Sequence, residues 1–482
     1  MADRNSKRFA AAPGLSRRAV LGGGAAAGAA VLVPLQPAWS APVSAFKDVT
    51  PKPGEAPLRG YSQAPTPIWG FDGHVPGPTL RVKQGETLKV RLKNGLAHPT
   101  TIHWHGIRID NAYDGVPGLT QKLVAPGASF DYAFACPDAG TFWYHPHKMS
   151  SEQIGRGLYG PLIVEEREPP KVDLDQVLML DDWRLTDDGE IHAQSFGAIH
   201  DRAHAGRVGN TLTVNGQERF DIAVRSGARL RLRLINAANA NIFAVRIADH
   251  KPTIIAIDGQ PVTPQAATDG LVLLGPGQRA DLIVDAMGDP GSKAAITVMT
   301  NRDQLTMGEI IYTAEAPLRT SPSDAPIALK ANPLPTKLDL ASAVDIDLPM
   351  EGGAMGRMST AKVGEQSMSL RELVREHGYA WALAGHAGMP QKPLFTVKRG
   401  QTVRIALRNR SAWPHAMHLH GSHFREVGDN ASETWWRDTI LMFREQDKTI
   451  AFVADNPGKW MLHCHMLEHH EGGMGTWFEV EA

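Results

Sequence analysis

The sequence predicts an all-β protein that contains three homologous β-domains. Turn-forming residues are frequent, with 47 glycines and 34 prolines among 482 residues, and short segments of alternating apolar and polar residues lie between them. This pattern is typical of β-sandwiches and barrels rather than of alternating strand–helix units. Three of the segments also resemble one another, and at roughly 150 residues per domain the length agrees with about three domains.

The internal repeat consists of three segments with the same order of residues, 80–94, 222–236 and 395–409. In each copy a glycine (Gly85, Gly227 or Gly400) lies nine residues before an asparagine, and apolar and basic side chains alternate between them. Such alternation predicts a strand with one buried face, and each glycine falls where a tight turn needs a positive φ. One copy alone would be an ordinary amphipathic hairpin, whereas three copies indicate three related domains.

Proline-rich and charged stretches predict the domain boundaries. Glu165–Pro170 separates the first two copies of the repeat, and a proline- and serine-rich linker occupies residues 317–336. We therefore expect domains at 41–170, 171–316 and 337–482.

The N-terminus resembles an export signal. Arg17 and Arg18 precede a mildly apolar run over residues 19–35, and Ala38-Trp39-Ser40 resembles a cleavage site. The run is too short and too weakly apolar to span a membrane. Paired arginines here are typical of twin-arginine export, so we expect residues 1–40 to be removed and the mature protein to be periplasmic or secreted, without membrane insertion. The alternative is a disordered basic tail.

Charge and cysteine content exclude some classes of function. Lysine plus arginine (50) nearly balances aspartate plus glutamate (51), which argues against nucleic-acid or anionic-membrane partners. Only two cysteines occur, Cys136 and Cys464. Cys136 ends an alternating run and is expected to be a small buried apolar residue, while the histidines that flank Cys464 argue against a disulfide.

Half of the 20 histidines fall into four clusters. The clusters are His103-Trp104-His105, His145-Pro146-His147, His415-Ala416-Met417-His418-Leu419-His420 and His463-Cys464-His465 with His469. A strand has a period of two, so each His-x-His pair places two imidazoles on one face. Neutral imidazole is the commonest metal ligand in proteins, so the clusters predict metal binding.

The clusters of the first and last domains follow the same order. In each domain a His-x-His-Gly segment is followed by Gly-x-x-x-x-His-x-His, with Gly140 before His145 and Gly458 before His463. The middle domain has no such pairs. We therefore expect two matching quartets to face each other, with eight imidazoles around a metal cluster.

A second metal site is predicted around Cys464. Its side chain points away from the face that His463 and His465 share, so it can bind a separate metal with His415, His469 and Met474. Two histidines, a thiolate and a methionine form the ligand set of a blue-copper electron-transfer site. Adjacent backbone joins Cys464 to both cluster histidines, and Pro146 occupies its place in the first domain.

These four motifs, in this order and spacing, resemble the copper-binding motifs of multicopper oxidases, which include laccases, bilirubin oxidases and bacterial copper-efflux oxidases. The resemblance implies three cupredoxin-like Greek-key β-barrel domains and four copper ions. The implied type 1 ligands are His415, Cys464, His469 and Met474. The implied type 2 ligands are His103 and His418. The implied ligands of the type 3 pair are His105, His145, His147, His420, His463 and His465.

The resemblance also implies an activity, in which single electrons from a reducing substrate pass through Cys464 to the cluster and dioxygen is reduced to water. Asp114 resembles the carboxylate that serves the cluster with protons, although an Asp-Gly pair is also a common turn. Many relatives have a glutamate directly after the last type 1 histidine. Here that position is His470, with Glu468 and Glu471 nearby, so the sequence departs from the family pattern at this second proton-supplying carboxylate.

The electron donor is either Cu(I) or a phenol or aromatic amine. Ten of the 16 methionines lie between residues 350 and 474, and thioether sulfur suits Cu(I). Met350, Met355, Met358 and Met368 are expected in a mobile loop, where they either bind Cu(I) or simply pack. In this family the type 1 histidines face outward, so a donor is expected to approach the surface near His415 or His469.

A copper-sequestering periplasmic protein without turnover is the alternative function. Two-domain nitrite reductases are disfavoured, because three repeats are present and the cysteine lies in the last. We expect a monomer.

Overall fold

The computed structural model describes residues 45–300, 303–325, 327–428 and 435–482, so the predicted signal segment 1–40 lies outside the described residues. Within these ranges the chain forms 32 strands and only short helices, which confirms the all-β prediction. The strands fall into three consecutive groups, each with its own apolar core.

The first group contains nine strands: β1 (Lys47–Val49), β2 (Pro51–Ala56), β3 (Thr66–Phe71), β4 (Leu80–Lys83), β5 (Thr87–Lys93), β6 (His103–His105), β7 (Ser129–Ala135), β8 (Gly140–His145) and β9 (Gly160–Glu165). They form sheets in the orders β1-β5-β7 and β4-β9-β8-β6, with β2 and β3 as a separate pair. Trp104, Tyr132 and Phe142 fill the core of this group.

The second group contains eleven strands: β10 (Leu174–Trp183), β11 (Thr211–Val214), β12 (Ile222–Val224), β13 (Ala228–Asn236), β14 (Phe243–Ile247), β15 (Thr253–Ile257), β16 (Gln260–Ala266), β17 (Leu271–Leu274), β18 (Arg279–Ala286), β19 (Lys293–Met299) and β20 (Gln304–Tyr312). They form sheets in the orders β11-β10-β13-β18-β15-β16 and β12-β20-β19-β14-β17.

The third group contains twelve strands: β21 (Val344–Gly352), β22 (Thr360–Val363), β23 (Gln366–Ser369), β24 (Trp381–Leu383), β25 (Thr396–Lys398), β26 (Thr402–Asn409), β27 (His415–Leu419), β28 (Arg425–Glu426), β29 (Thr439–Met442), β30 (Asp447–Val453), β31 (Gly458–Cys464) and β32 (Gly475–Glu481). They form sheets in the orders β24-β21-β26-β30-β28 and β25-β32-β31-β27-β29, with β22 and β23 as a separate pair.

The helices are short and lie in connections. The α-helices are α1 (Ser150–Gly155), α2 (Ile199–Ala203), α3 (Leu370–Glu372) and α4 (Leu467–Glu471). Single turns of 3₁₀-helix span Asn111–Tyr113, Ala193–Ser195 and Thr268–Gly270, and a π-helical turn spans Leu373–His377. Among the described residues, no helix has the length and apolar character that crossing a bilayer requires.

The repeated segment is a corner between two sheets and not a hairpin. The strand before each glycine pairs in parallel with the last strand of its group, and the strand after it pairs in parallel with the first. Gly85, Gly227 and Gly400 have φ values of 88°, 79° and 89° as predicted, because the chain must turn there from one sheet to the other.

The repeated asparagines have a structural role that the sequence did not reveal. Asn94, Asn236 and Asn409 are buried, and each side-chain amide donates to two backbone carbonyls at 2.8–2.9 Å. Each Oδ1 accepts a hydrogen bond at 3.0 Å from the backbone N–H two residues later. The three closely similar contact sets hold equivalent loops in the three groups, which supports their common origin.

Candidate metal centres

The predicted ligands of the first and third groups lie on equivalent pairs of antiparallel strands. On β6 and β8, His103 is directly opposite His145. On β27 and β31, His418 is directly opposite His463. Since the partner histidine of each motif lies two residues further along the chain, every His-x-His pair presents both rings to the same side.

The two quartets face each other and contact ring to ring. His103 stacks on His420 with 3.9 Å between ring centroids, and His105 stacks on His418 at 3.8 Å. Across the same space, the remaining ring pairs are His145 with His465 at 5.4 Å and His147 with His463 at 5.1 Å. All eight side chains are at most 7% exposed, so the structure brings the eight predicted imidazoles together in one buried space.

The hydrogen bonds of these rings leave metal-binding nitrogens free. Three Nδ1 atoms donate to backbone carbonyls, His103 to Asp114 at 2.8 Å, His145 to Pro146 at 3.0 Å and His463 to Cys464 at 2.9 Å. A carbonyl only accepts, so in the neutral ring the proton lies on Nδ1 and Nε2 carries a lone pair. Nε2 of His103, His145 and His418 is buried and has no hydrogen-bond partner among the described residues. Unpaired buried nitrogens are costly in a protein interior, and imidazole lone pairs are copper ligands, so these residues fit a metal.

Burial keeps the imidazoles neutral. It lowers the pKa of His145, His147, His420 and His465 well below 6.5, and the neighbouring histidines lower it further. Neutral imidazole is the form that binds a metal, so the ligands need release no proton near pH 7.

A second buried trio lies behind the cluster. The Sγ atom of Cys464 is 3.6 Å from Nδ1 of His415 and 3.8 Å from Nδ1 of His469. Met474 is fully buried in the same apolar core, and its carbonyl accepts the backbone N–H of Cys464 at 3.1 Å. Burial raises the pKa of the Cys464 thiol to about 12, so without a metal the thiol is protonated, and a bound metal is what would stabilise the thiolate.

The expectation that the histidines of this trio face outward is wrong for this chain. His415 and His469 are both 0% exposed. Nε2 of His469 donates to the carbonyl of His204 at 2.7 Å, and Nε2 of His415 is 2.9 Å from Oγ of Ser411. The trio is covered because the segment that follows α2 of the second group packs over it, together with the ring of Trp381, 4.4 Å from that of His469.

Asp114 lies at the cluster as well as in a turn. Its carboxylate oxygens are both 3.1 Å from Nδ1 of His420, and Oδ1 is 3.2 Å from Nδ1 of His103. It therefore contacts one histidine from each quartet. The turn is real as well, because Gly115 has φ +82° and a side chain there would collide with the carbonyl of Ile102. The two interpretations of the Asp-Gly pair are compatible.

A second carboxylate, Asp438, holds the opposite side of the cluster and was missed by the sequence analysis. Its Oδ1 is 3.2 Å from Nε2 of His105 and 3.3 Å from Nδ1 of His418. Arg279, from β18 of the second group, donates to Asp438 at 2.6 and 2.9 Å. Burial opposes ionisation of Asp438, but the guanidinium and the histidine hydrogen bonds outweigh it and hold the pKa well below 3.8.

Asp258, which like Arg279 belongs to the second group of strands, completes this network. It accepts the backbone N–H groups of Arg279 and Thr439, and burial together with the charge of Asp438 raises its pKa to about 7. No pattern marks these residues in the sequence. Asp438 precedes an apolar strand and reads as a boundary residue, and Arg279 lies in the group that has no histidine pairs.

The structure also shows the surroundings of Glu468, His470 and Glu471, where the sequence departs from the family pattern. Glu468 accepts from the backbone N–H of Arg207 at 3.0 Å, and Glu471 accepts from Ser151 in α1. His470 instead lies against the cluster, with its ring 4.6 Å from that of His463. Its Nδ1 is buried without a partner among the described residues.

Three of the four methionines expected in a loop are buried. Met350 is in β21 and is 0% exposed, and Met358 and Met368 pack in a small apolar cluster with Leu373. The prediction of a mobile methionine loop is therefore wrong for these three, because alternating apolar neighbours place them in strands or beneath them. Met355 alone is exposed, at 76%.

Cys136 is a free, fully buried thiol, as expected. Burial raises its pKa to about 12, and it packs in the core of the first group.

Comparisons with known proteins agree with this architecture. Three segments, residues 56–169, 175–309 and 364–482, each match the multicopper oxidase family. The chain is 29% identical to multicopper oxidase MmcO of Mycobacterium tuberculosis over 89% of this chain and 85% of that protein. It is 30% identical to laccase-2 of Botryotinia fuckeliana over 85% of this chain and 78% of that protein.

Among solved structures, the crystal structure of a multi-copper oxidase from Pseudomonas thermotolerans superposes with a TM-score of 0.79 at 33% identity. The superposition covers 90% of this chain and 99% of that one, so the three sheet pairs are those of cupredoxin-like domains. Full-length relatives and a histidine-lined interior lead to one assignment: the chain belongs to the multicopper oxidase family, whose members are copper-dependent oxidoreductases.

Proposed function

We propose that the protein is a four-copper oxidase that takes single electrons from a reducing substrate and reduces dioxygen to water. One observation carries this proposal: eight buried imidazoles from two related domains converge with unpaired nitrogens, and Cys464 lies between two of them in the chain. A protein that only stores copper has no need of a thiol placed next to a closed cluster.

The proposed ligands divide into a type 1 site and a cluster that combines the type 2 and type 3 ligands. His415, Cys464, His469 and Met474 would hold the type 1 copper. His103 and His418 would hold the type 2 copper. The type 3 pair would be held by His105, His145, His147, His420, His463 and His465. Copper bound at these residues would supply one-electron redox chemistry and a place where dioxygen is reduced.

The chain itself would connect the two sites and exclude water. Cys464 is joined by one peptide bond to His463 and by another to His465, so the route from the thiol site to the cluster is covalent. Both sites are enclosed by large apolar side chains, among them Trp143 beside His145 and Trp381 beside His469, which are 0% exposed. This enclosure would keep bulk water away from copper held at either site.

Asp114 would move protons at the cluster. Reduction of dioxygen to water consumes protons, and the Asp114 carboxylate lies 3.1 Å from Nδ1 of His420. Asp438 would act differently, because its ion pair with Arg279 keeps it ionised and fixes the orientation of His105 and His418.

The place of action would be outside the cytoplasm. The paired Arg17 and Arg18 before a short apolar run support twin-arginine export of the folded, metal-loaded chain to the periplasm. Replacing both arginines with lysine should leave the protein in the cytoplasm in cell fractionation, and periplasmic protein in that variant would contradict the proposed route.

The test of the proposed function is oxygen consumption by the copper-loaded protein with two donors, Cu(I) and a simple phenol. We expect uptake with at least one donor and no hydrogen peroxide among the products. Copper binding without oxygen uptake for either donor would instead identify a copper-sequestering protein.

A further inference from the structure

The covered position of His469 determines how an electron can reach it. Its Nε2 does not face solvent but donates to the backbone carbonyl of His204 at 2.7 Å. His204 caps the C-terminus of α2 in the second group. A donor bound to the His204 side chain is therefore connected to His469 by the bonds of one residue and a single hydrogen bond.

A pair of histidines lies at this point on the surface. His200 and His204 are four residues apart on one helical turn, and their rings stack with 4.1 Å between centroids and 12° between planes. Nδ1 of His204 donates to the carbonyl of His200 at 2.7 Å, so in the neutral ring Nε2 carries a lone pair. The His200 side chain is 78% exposed. Two imidazoles at this spacing are a common metal-binding pair.

A methionine, Met355, directly follows a residue that is hydrogen-bonded to the end of α2. The backbone N–H of Ala354 donates to the carbonyl of Ala203 at 2.6 Å, and the indole of Trp413 donates to the carbonyl of Ala354 at 3.0 Å. The ring of Trp413 is in turn 5.3 Å from that of His204. Met355, the exposed member of the four methionines, is thereby held next to the end of α2.

We propose that His200, His204 and Met355 form the entry site for the electron donor and that the donor is a monovalent copper ion. The inference rests on the proposed function, whose substrate it names. Imidazole and thioether are ligands that suit Cu(I). Each bound Cu(I) gives one electron toward His469 and leaves as Cu(II), and four such electrons with four protons convert one dioxygen into two waters.

An organic donor has less support at this place. Of five cavities with volumes of 230–690 Å³, none has His200, His204, Met355 or Trp413 in its wall. A phenol binds best in a concave pocket, whereas a metal ion needs only two or three donor atoms.

Silver tests the site without turnover, because Ag(I) has the charge and ligand preference of Cu(I) and is not oxidised here. Calorimetric titration of Ag(I) into the copper-loaded protein should show a binding event whose affinity falls at least about tenfold in the His200→Ala/His204→Ala double variant and in Met355→Leu. The apparent KM for Cu(I) in oxygen uptake should rise in parallel. The blue absorption should persist, because residue 204 keeps its backbone carbonyl.

His192→Ala and Met389→Leu are the matched controls, since both residues are exposed and neither adjoins the site. They should leave silver affinity and the KM for Cu(I) unchanged. Unchanged silver affinity in the double variant would overturn the inference, and so would a wild-type protein that binds no Ag(I) but oxidises a phenol. That second result would leave the proposed oxidase function standing. Absence of oxygen uptake with every donor would contradict the proposed function, and the entry site with it, even if silver binds.

Discussion

The Nδ1 atoms of His415 and His469 lie 3.1 Å apart in the interior of the last domain. Since Nε2 of His469 donates to a carbonyl, its neutral ring has a lone pair on the facing nitrogen. Two buried imidazoles this close resist protonation, which leaves both rings available to a metal near pH 7 and makes the pair a source of instability in acid.

The copper-free protein should therefore lose stability as the pH falls. Burial lowers the pKa of His469 to about 4 from 6.5, and it lowers that of His423 to about 4 as well. Between these values the unfolded chain binds protons that the folded chain does not, so the free energy of unfolding falls below pH 6.5, by about 1.4 kcal/mol per pH unit for each such histidine. Urea unfolding of the copper-free protein at pH 7.5 and 5.5 measures this. A free energy of unfolding that is equal or higher at pH 5.5 would contradict it.

Cys464→Ser should abolish the intense blue absorption and the oxidase activity, because a hydroxyl cannot replace the thiolate in the type 1 site. The cluster histidines are unchanged, so the other coppers should stay bound. Visible absorption and copper analysis measure the two effects. Cys136→Ala is the control: that thiol is buried in another domain and should be replaceable with the blue colour intact. A blue Cys464→Ser protein would refute the ligand assignment.

The sequence was sufficient for the parts of the site that depend on local periodicity. His-x-His spacing on a strand specifies a shared face, and the glycines of the repeat specified turns with positive φ, which the structure confirms. The same periodicity could not show that β4 and β5 belong to different sheets, because a hairpin and a sheet-to-sheet corner share one alternating pattern.

The residues that the sequence did not reveal act across long separations. Asp438 reaches His105 from another domain, and Arg279 is contributed by a domain without metal motifs. The covering of His469 by His204 likewise depends on how two domains pack, which no local pattern encodes. The boundaries near residues 170 and 317–336 stay predictions.

Asp114→Asn should keep the coppers and slow turnover, most steeply at high pH, where protons are scarce. The amide preserves the shape of the side chain beside His420 but cannot carry a proton between solvent and cluster. Oxygen uptake across the pH range measures the effect. Asp110→Asn, an exposed capping residue in the same loop, is the control and should match the wild type. Equal rates for Asp114→Asn and the wild type at every pH would leave Asp114 with a turn role only.

Arg279→Met should destabilise the protein by about 3–5 kcal/mol, because it leaves the buried Asp438 charge without its partner. Copper should be lost mainly from the cluster, since Asp438 orients His105 and His418. The total copper content should therefore fall more than the blue absorption of the Cys464 site. Chemical unfolding and copper analysis measure both. Arg404→Lys, which alters an exposed pair with Asp345, should change neither. Full copper occupancy in Arg279→Met would show that the second domain does not position the cluster.

Anomalous diffraction at the copper edge from crystals of the copper-loaded protein shows whether the twelve predicted ligands hold four copper ions in two buried sites. We expect one anomalous peak among His415 Nδ1, His469 Nδ1 and Cys464 Sγ, and about three peaks within the eight facing imidazoles. No peak at the Cys464 trio, or copper found only on surface histidines such as His200, would refute this ligand assignment.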